Sequence, residues 1–378
     1  MVKIDRIGVR SGLLAAGWSI ASAVLGMWWL AVPTAYPFGA GDPHADMSLL
    51  FATTAHQAAW VLLATGPVGI LAGIAAGRPR RTSSLAVAVA TVFAMGFGLL
   101  VPDLQLLILL TYLLAILSPL LLVTFAAAAL VRHPVHLIAC VGVVVAVVLL
   151  LGGVVDGQHV GALITQVAAA GSSLGSRPLV AGFFLVGGGL WAWTAVIAWR
   201  RRHTRCGWCG RPARSWASPR AAARWGRWVT IAAALCPLPY AVVRMTWLLP
   251  PNLRIAPAGL DAEPGLRLFG LLIGAVAVAA SILTLGLVAK WGERWPEWLP
   301  RLAGRRIAPM LPVSLAGAAA VLITIGGISM IRQSLFADGG DWSTVVVMPF
   351  LFWGPVLGAG ALAHYYRRRS ACRHCGLA

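Results

Sequence analysis

Long apolar runs separated by short polar segments recur along the whole chain. A hydrocarbon core of about 30 Å is crossed by roughly 20 apolar residues in a helix. Because lipid offers backbone groups no hydrogen-bond partner, segments that cross it form helices paired internally. The pattern predicts an all-α, polytopic transmembrane bundle with ten spans, at about 12–31, 48–76, 83–101, 106–130, 135–154, 179–199, 229–249, 266–289, 307–331 and 344–366.

Composition excludes a soluble globular protein. The 378 residues are 59% hydrophobic and 11% charged, with a mean hydropathy of +0.83, whereas soluble domains carry about 25% charged residues. The first apolar run also exceeds the core of roughly 7–15 residues that is typical of a secretory signal. We therefore predict that it is a retained transmembrane helix.

The distribution of charge orients the predicted spans. Threading them alternately through the bilayer places all but five of the 30 Lys and Arg residues on one side, and eight of the 11 acidic residues on the other. Lys and Arg concentrate in cytoplasmic loops. The chain is therefore predicted to be a multi-pass protein of the plasma (inner) membrane, with both termini in the cytoplasm.

Two segments of the chain are similar to each other. Residues 23–30 read AVLGMWWL and residues 241–248 read AVVRMTWL, with five of eight positions identical at an offset of 218. Both segments lie in spans that run outward, which predicts two parallel four-span repeats, at 1–132 and 229–369. Residues 133–228 would supply a joining helix pair and a cytoplasmic loop, and residues 370–378 a cytoplasmic tail.

Cysteine spacing gives the clearest chemical signal. Cys206 and Cys209 form one Cys-x-x-Cys-Gly sequence in the predicted cytoplasmic loop, and Cys372 and Cys375 form a second in the tail. Two such turns can supply four thiolates to a tetrahedral zinc ion, and the glycine eases each turn. The spacing predicts a structural zinc site that ties the tail to the loop across 162 intervening residues.

Alternatives to zinc remain open at this point. Arginines near each pair can lower thiol pKa values and favour a redox dithiol, although such pairs usually accompany a βαβ pattern that is absent here. The cysteines can also be free and without a role. His203 and His374 lie near enough in sequence to replace a sulfur ligand.

Arg244 is an ionisable residue inside the predicted seventh span, with Tyr240 and Trp247 on the same helical face. Such residues are costly in lipid and often face a cavity or a partner. The alternative is that Arg244 lies close enough to the span end to reach the headgroups. The hypothesis is one outward-facing polar pocket, lined by residues of similar predicted depth: Arg244, Tyr240, His56, Asp103 and Arg267. For any single residue, a hydrogen bond across a helix interface is the competing interpretation.

The predicted cytoplasmic loop at 200–227 is strongly basic and contains no acidic residue. Anionic lipid headgroups are the expected neighbours of such a loop, and no nucleic-acid partner is expected. Glycines spaced by four residues, as at Gly69, Gly73 and Gly77, predict close helix contacts. Sequence motifs of nucleotide-driven pumps, serine hydrolases and zinc proteases are absent.

Residues 237–247 (PLPYAVVRMTW), with WGERWPEWLP at 291–300 and GRR at 304–306, resemble uncharacterised integral membrane proteins of high-GC actinobacteria. The resemblance covers mainly residues 237–369 and implies a plasma-membrane location, with no substrate or catalytic residue.

Together these patterns favour a membrane protein that binds or transports a small ligand near Arg244, more plausibly an anionic one, without being an enzyme. The first alternative is a scaffold that docks a cytoplasmic protein through its arginine-rich, zinc-tied face. The second is a membrane enzyme or a thiol-redox relay. Metal analysis and the presence of a cavity beside Arg244 distinguish these functions.

Overall fold

The computed structural model describes residues 2–39, 42, 44–78, 83–114, 117, 161, 165, 168–169, 175–203, 205–206, 209–210, 216–256, 260, 264–297, 302–336, 342–370, 372 and 376. The described part of the chain is helical and contains no β-strand. Its helices are α1 (Val2–Ala31), α2 (Ala55–Gly77), α3 (Ser84–Met95), α4 (Leu104–Leu114), α5 (Arg177–Arg202), α6 (Pro219–Leu235), α7 (Leu238–Met245), α8 (Pro264–Leu285), α9 (Met310–Phe336), α10 (Trp342–Val347) and α11 (Phe350–Arg368).

Seven helical segments of the described chain are long and apolar enough to cross a membrane. They include α1, α2, α5, α8 and α9, together with the continuous stretches Pro219–Leu248 and Trp342–Arg368. The stretch Ser84–Leu100 joins α4 at a bend of 56° and would make an eighth span if the pair crosses as one. The chain is thus a multi-pass membrane protein. Most of the predicted fourth span and all of the fifth lie outside the described residues, and the count of ten stays a prediction.

Local sequence explains where several helices begin. Thr54 caps α2 by accepting a hydrogen bond from the Gln57 backbone at 3.2 Å, and the Gln57 side chain accepts one from the Thr54 backbone at 2.9 Å. This reciprocal pairing satisfies two backbone donors that a helix start otherwise leaves free. Ser218 caps α6 with a single bond, in which its hydroxyl oxygen accepts from the backbone N–H of Ala221 at 3.3 Å.

An aromatic core unites α1, α2, α3 and α5. Its buried rings include Trp18, Phe93, Phe97, Phe184 and Trp191. The rings of Trp18 and Phe97 meet edge to face, with centroids 4.8 Å apart. Aromatic pairs of this geometry stabilise beyond their buried area. α5, predicted as part of a joining pair, therefore packs as a member of this first helix group.

Small residues let neighbouring helices approach closely, as the glycine spacing predicts. A Cβ atom added at Gly73 of α2 would lie 2.6 Å from the Gly12 carbonyl oxygen of α1. At Gly354 of α11, an added Cβ would lie 2.1 Å from the Thr324 hydroxyl of α9. Both contacts are shorter than any side chain permits, so glycine is required for these crossings.

A second helix group consists of α6, α8, α9 and α11. Its buried core residues include Ala233, Leu287, Ile323 and Leu357. The group contacts the first one where Arg332 of α9 donates a hydrogen bond to the Ala45 carbonyl at 3.3 Å. α1 packs mainly on α2; in the predicted seventh span, α7, which carries most of the repeated segment, packs mainly on α8, whereas α6 packs mainly on α11. The internal repeat therefore stays a prediction that the helix packing does not establish.

Large apolar side chains cover the exterior of both groups. Leu71, Leu85, Leu179 and Leu283 expose about seven tenths of their surface or more, at 70%, 71%, 78% and 69%. Large exposed apolar patches on a protein mark surfaces that contact a membrane or another protein. They are what a lipid-facing surface requires, which agrees with the length of the helices.

Candidate metal centre and arginine sites

The two Cys-x-x-Cys segments begin with the same backbone turn. The N–H of Gly210 donates to the Cys206 carbonyl at 2.7 Å, and the N–H of Gly376 donates to the Cys372 carbonyl at 2.8 Å. Gly210 and Gly376 have φ values of 65° and 69°. Side chains rarely adopt this left-handed conformation, so each turn depends on its glycine. Both segments thus end in the left-handed glycine that a metal knuckle uses.

Three thiols converge although two distant parts of the chain supply them. The Sγ atoms of Cys206, Cys209 and Cys372 all lie within 4.8 Å of one another, and Cys206 and Cys372 are 4.0 Å apart. A disulfide requires about 2.05 Å between sulfurs. In a tetrahedral site with Zn–S bonds of about 2.3 Å, the sulfurs stand about 3.8 Å apart. The cluster can therefore hold a metal ion with little movement.

Protein contacts hold the cluster in place. Cys209 and Cys372 are buried, with 8% and 6% of their surface exposed. Arg369, just after α11, donates hydrogen bonds to the carbonyls of Cys209 at 3.3 Å and Ala217 at 3.1 Å. Its guanidinium also lies 4.5 Å from the ring centroid of Tyr366. These contacts place the end of α11 against the loop that follows α5.

The remaining predicted ligands have different positions. Cys375 and His374 lie outside the described residues. The Nδ1 atom of His203 is 2.9 Å from the Trp199 carbonyl, and its ring stacks near that tryptophan with centroids 4.8 Å apart. Three of the four predicted thiolates are therefore placed together. We call the end of the bundle that carries them the cysteine end.

Arg244 lies in the last turn of α7, near the opposite end of the bundle. α7 is separated from α6 by a break at Cys236–Pro237. The Arg244 Nε donates a 2.8 Å hydrogen bond to the Tyr240 hydroxyl. Its guanidinium carbon lies 4.1 Å from the Trp247 ring centroid and 4.9 Å from that of Tyr240. The predicted shared face of these three residues is confirmed. The two terminal nitrogens of Arg244 donate to no residue that the structure describes.

Arg267 of α8 reaches the same tryptophan. Its Nε donates to the Trp247 carbonyl at 3.0 Å, and its terminal nitrogens also lack an acceptor among the described residues. Two glycines of α8 make room for this arrangement. A Cβ at Gly270 would lie 2.1 Å from the Trp247 ring, and one at Gly274 would lie 2.8 Å from Arg244 Cβ. Trp247 thus holds two arginines against one helix.

A cavity of about 610 Å³ lies next to Tyr240, between α4, the break at Cys236–Pro237, α7, α8, α9 and the α10–α11 stretch. Its walls are mainly aliphatic, and Tyr240 is part of them. Because the Tyr240 hydroxyl accepts the Arg244 hydrogen bond, the tyrosine connects the apolar cavity with the site of the two arginines, Arg244 and Arg267. Binding cavities for small molecules are commonly about 300–1,000 Å³ in volume.

A buried ion cluster lies elsewhere at this end of the bundle. Arg177, at the start of α5, donates through Nε to Asp103 Oδ2 at 2.8 Å and pairs through Nη1 with Asp42. Its Nη2 also donates to the His44 carbonyl at 3.1 Å. The side chains of Arg177 and Asp103 expose only 2% and 1% of their surface. The other oxygen of the Asp103 carboxylate, Oδ1, accepts a hydrogen bond from the backbone N–H of Gln105 at 3.1 Å.

Sequence reasoning did not find this cluster, although a signal existed. The charge analysis placed Arg177, Asp42 and Asp103 on the same side of the membrane, where opposite charges at equal depth tend to pair. Burial raises the pKa of nearby Tyr36, whose hydroxyl is 2.5 Å from that of Thr53. Tyr36 therefore stays neutral, and the net charge of the cluster comes from the arginine and the two carboxylates.

The five residues of the predicted pocket thus have different neighbours. Arg244, Tyr240 and Arg267 meet around Trp247, whereas the Asp103 carboxylate binds Arg177. His56 is exposed in the first turn of α2. A pocket that contains all five residues stays a prediction. Comparisons with protein-family models, curated proteins and solved structures find no match for this chain. Its function must therefore be argued from the chemistry of these sites.

Proposed function

We propose that this membrane protein binds an amphiphilic anion, with the apolar part in the 610 Å³ cavity and the charged group at Arg244 and Arg267. The observation that carries the proposal is the position of Tyr240, which lines the cavity and accepts a hydrogen bond from Arg244. One side chain thereby joins an apolar space to an arginine whose two terminal nitrogens have no acceptor in the described part of the chain. This refines the ligand class from a small anion to an amphiphile.

The charge of the site favours an anionic group. No carboxylate of the described residues pairs with Arg244 or Arg267, although such pairing is the usual fate of a partly buried arginine. Arginine presents its terminal nitrogens as a planar fork that matches carboxylate and phosphate oxygens. Two such forks held on one tryptophan would neutralise a singly or doubly charged headgroup.

The cavity argues for an apolar ligand body. Burying a methylene group contributes about 0.8 kcal/mol. A ligand with a fatty alkyl chain would therefore obtain most of its binding free energy from contact with the aliphatic walls of the cavity. A purely polar anion would leave this space empty or filled with poorly bonded water. Transport of the bound ligand across the membrane would require a second access route to the cavity.

A matched pair of substitutions on α8 tests the cavity. Ala280 lines it, whereas the adjacent Ala279 is exposed on the helix exterior. In lipid nanodiscs, we expect Ala280→Phe to abolish saturable binding of oleate because the ring occupies the cavity, and Ala279→Phe to leave it unchanged. Equal binding by both variants would refute a role for the cavity.

A second pair of variants tests the charge. Arg244→Gln should weaken oleate binding about tenfold, the effect of a lost charged hydrogen bond of roughly 1.4 kcal/mol. Binding of monoolein, a neutral amphiphile, should change little. Arg224→Gln, on an exposed position of α6, serves as the control. An equal loss for both amphiphiles would show that the arginine acts on the fold and not on the ligand charge.

The cysteine cluster supports a structural zinc ion as the second part of the proposal. Four thiolates, with Cys375 as the fourth, would form a closed tetrahedral site without a position for substrate. Zinc there would tie the C-terminal tail to the loop after α5. A redox pair is less well supported, because thiols from two separate segments converge at distances that suit metal coordination.

Metal analysis of the purified protein tests this part. We expect close to one zinc ion per chain, and Cys206→Ser should reduce the bound zinc while Cys236→Ser, a buried cysteine outside the cluster, should not. Absence of zinc together with a Cys206–Cys209 disulfide, identified by peptide mass, would favour the redox alternative instead.

A further inference from the structure

A second, smaller cavity lies at the cysteine end of the bundle. Its volume is about 330 Å³, and it is bounded by the first turns of α6, the last turns of α11 and the backbone at 287–289 that follows α8. Ala222, Gly226 and Ala363 give it small walls. It is separate from the Arg244 site, which lies near the opposite end.

A buried histidine in this cavity lacks a partner on one side. His364 exposes only 2% of its surface. Its Nδ1 is 2.6 Å from the Leu287 carbonyl oxygen, and because a carbonyl only accepts, Nδ1 carries the hydrogen. The other nitrogen, Nε2, is buried and contacts no hydrogen-bonding group of the described chain. In the neutral ring Nε2 is an acceptor, and His364 is one of the residues that line the cavity.

Two arginines also line the cavity, and they differ in their hydrogen-bond partners. The guanidinium of Arg367 already has protein partners. It donates to the carbonyls of Leu287 and Val288 and pairs with the Glu293 carboxylate, and all three N···O distances are 3.0 Å. Arg227 is exposed and makes no hydrogen bond or ion pair with the described residues. The cavity therefore combines an exposed guanidinium without a partner among the described residues, a second arginine held by its own contacts, and a buried acceptor.

We propose that this cavity binds a phosphate ester that carries a hydroxyl group. Arg227 would bind the phosphate oxygens, which its planar fork matches, and the ligand hydroxyl would donate to His364 Nε2. A fully ionised phosphate group alone offers no donor for Nε2, which is why the substituent matters. A soluble glycerol phosphate and a glycerol-bearing phospholipid headgroup share this chemistry.

Two arms of one experiment separate these sources. In the first, delipidated protein in a neutral detergent is titrated with glycerol 3-phosphate and with ethyl phosphate, which lacks the hydroxyl, by isothermal titration calorimetry. In the second, the protein is equilibrated with mixed phosphatidylglycerol and phosphatidylcholine, and the retained lipid is identified by native mass spectrometry. Saturable binding in either arm supports the site, and the arm that shows it identifies the source.

The substitutions keep the fold while removing one contact each. Arg227→Gln should weaken binding about tenfold, whereas Arg224→Gln, exposed on the same helix but outside the cavity, should not. His364→Asn keeps a donor for the Leu287 carbonyl and removes Nε2. It should abolish the preference for glycerol 3-phosphate over ethyl phosphate in the soluble arm, or for phosphatidylglycerol in the lipid arm. Unchanged melting temperatures would show that the variants are folded.

Three results would overturn the proposal. The first is no saturable binding in either arm, which would leave the cavity with water only. The second is an equal loss in the Arg227→Gln and Arg224→Gln variants, which would indicate a diffuse charge effect. The third is a hydroxyl preference that survives His364→Asn.

Discussion

Replacement of Arg177 by methionine tests whether the buried ion cluster holds the bundle together. Arg177 is 2% exposed and pairs with two carboxylates, of which Asp103 is 1% exposed and Asp42 is 9% exposed. Methionine fills part of the space but leaves both carboxylates without a counter-charge. Removing one partner of a buried pair costs about 3–5 kcal/mol, mainly because the other charge stays buried. We therefore expect the free energy of unfolding to fall by about that amount.

The measurement is reversible unfolding in mixed detergent micelles, followed by tryptophan fluorescence. Arg177→Met should lose far more stability than Arg224→Met, an exposed arginine of α6. Adding Asp103→Leu to Arg177→Met should restore part of the loss, because one stranded charge disappears with the second substitution. If Arg177→Met and Arg224→Met destabilise the protein equally, or if the two substitutions at the cluster add without coupling, the ion cluster does not stabilise the fold as argued.

Three further outcomes follow from the packing, the helix cap and the metal cluster. Gly73→Leu should destabilise the protein by about 1–3 kcal/mol because α1 has no room for a side chain there, whereas Gly17→Leu, with open space at its Cβ, should be tolerated; equal melting temperatures would contradict this contact. Thr54→Ala should cost about 1 kcal/mol by removing the cap of α2, and Thr54→Ser should restore it in the same thermal assay. Chelation should speed tryptic cleavage after Arg369 without changing cleavage after Arg78, and unchanged rates at both sites would mean that no metal holds the tail.

The sequence predicted the helices of the described chain well because each helix is specified by residues close together in sequence. The membrane-crossing helices follow from apolar length, and the start of α2 follows from the Thr54–Gln57 pair. The contact of Tyr240, Arg244 and Trp247 also follows from spacing, since positions three and four residues apart share one face of a helix. The close approach at Gly73 likewise follows from the glycine spacing.

Apart from the cysteine pairs, the sequence did not predict which distant groups meet. Arg177 and Asp103 are separated by 74 positions, and several charges on the same side were equally available as partners. The His364 cavity was missed because nothing in the local pattern separates a histidine with both nitrogens paired from one with a free acceptor. The count of spans depends on residues, largely between 118 and 174, that the structure does not describe.

By itself, the sequence determined that the chain forms apolar helices in lipid and that its cysteine segments contain glycine turns suited to metal knuckles. Hydropathy and turn conformation depend on residues within a few positions of one another, so both are readable along the chain. Tertiary structure alone decided that Arg177 neutralises Asp103 and that an apolar cavity opens beside Tyr240, and it brought together Cys206, Cys209 and Cys372, as their spacing had predicted. These depend on how helices pack, which is set by the summed contacts of many residues far apart in sequence.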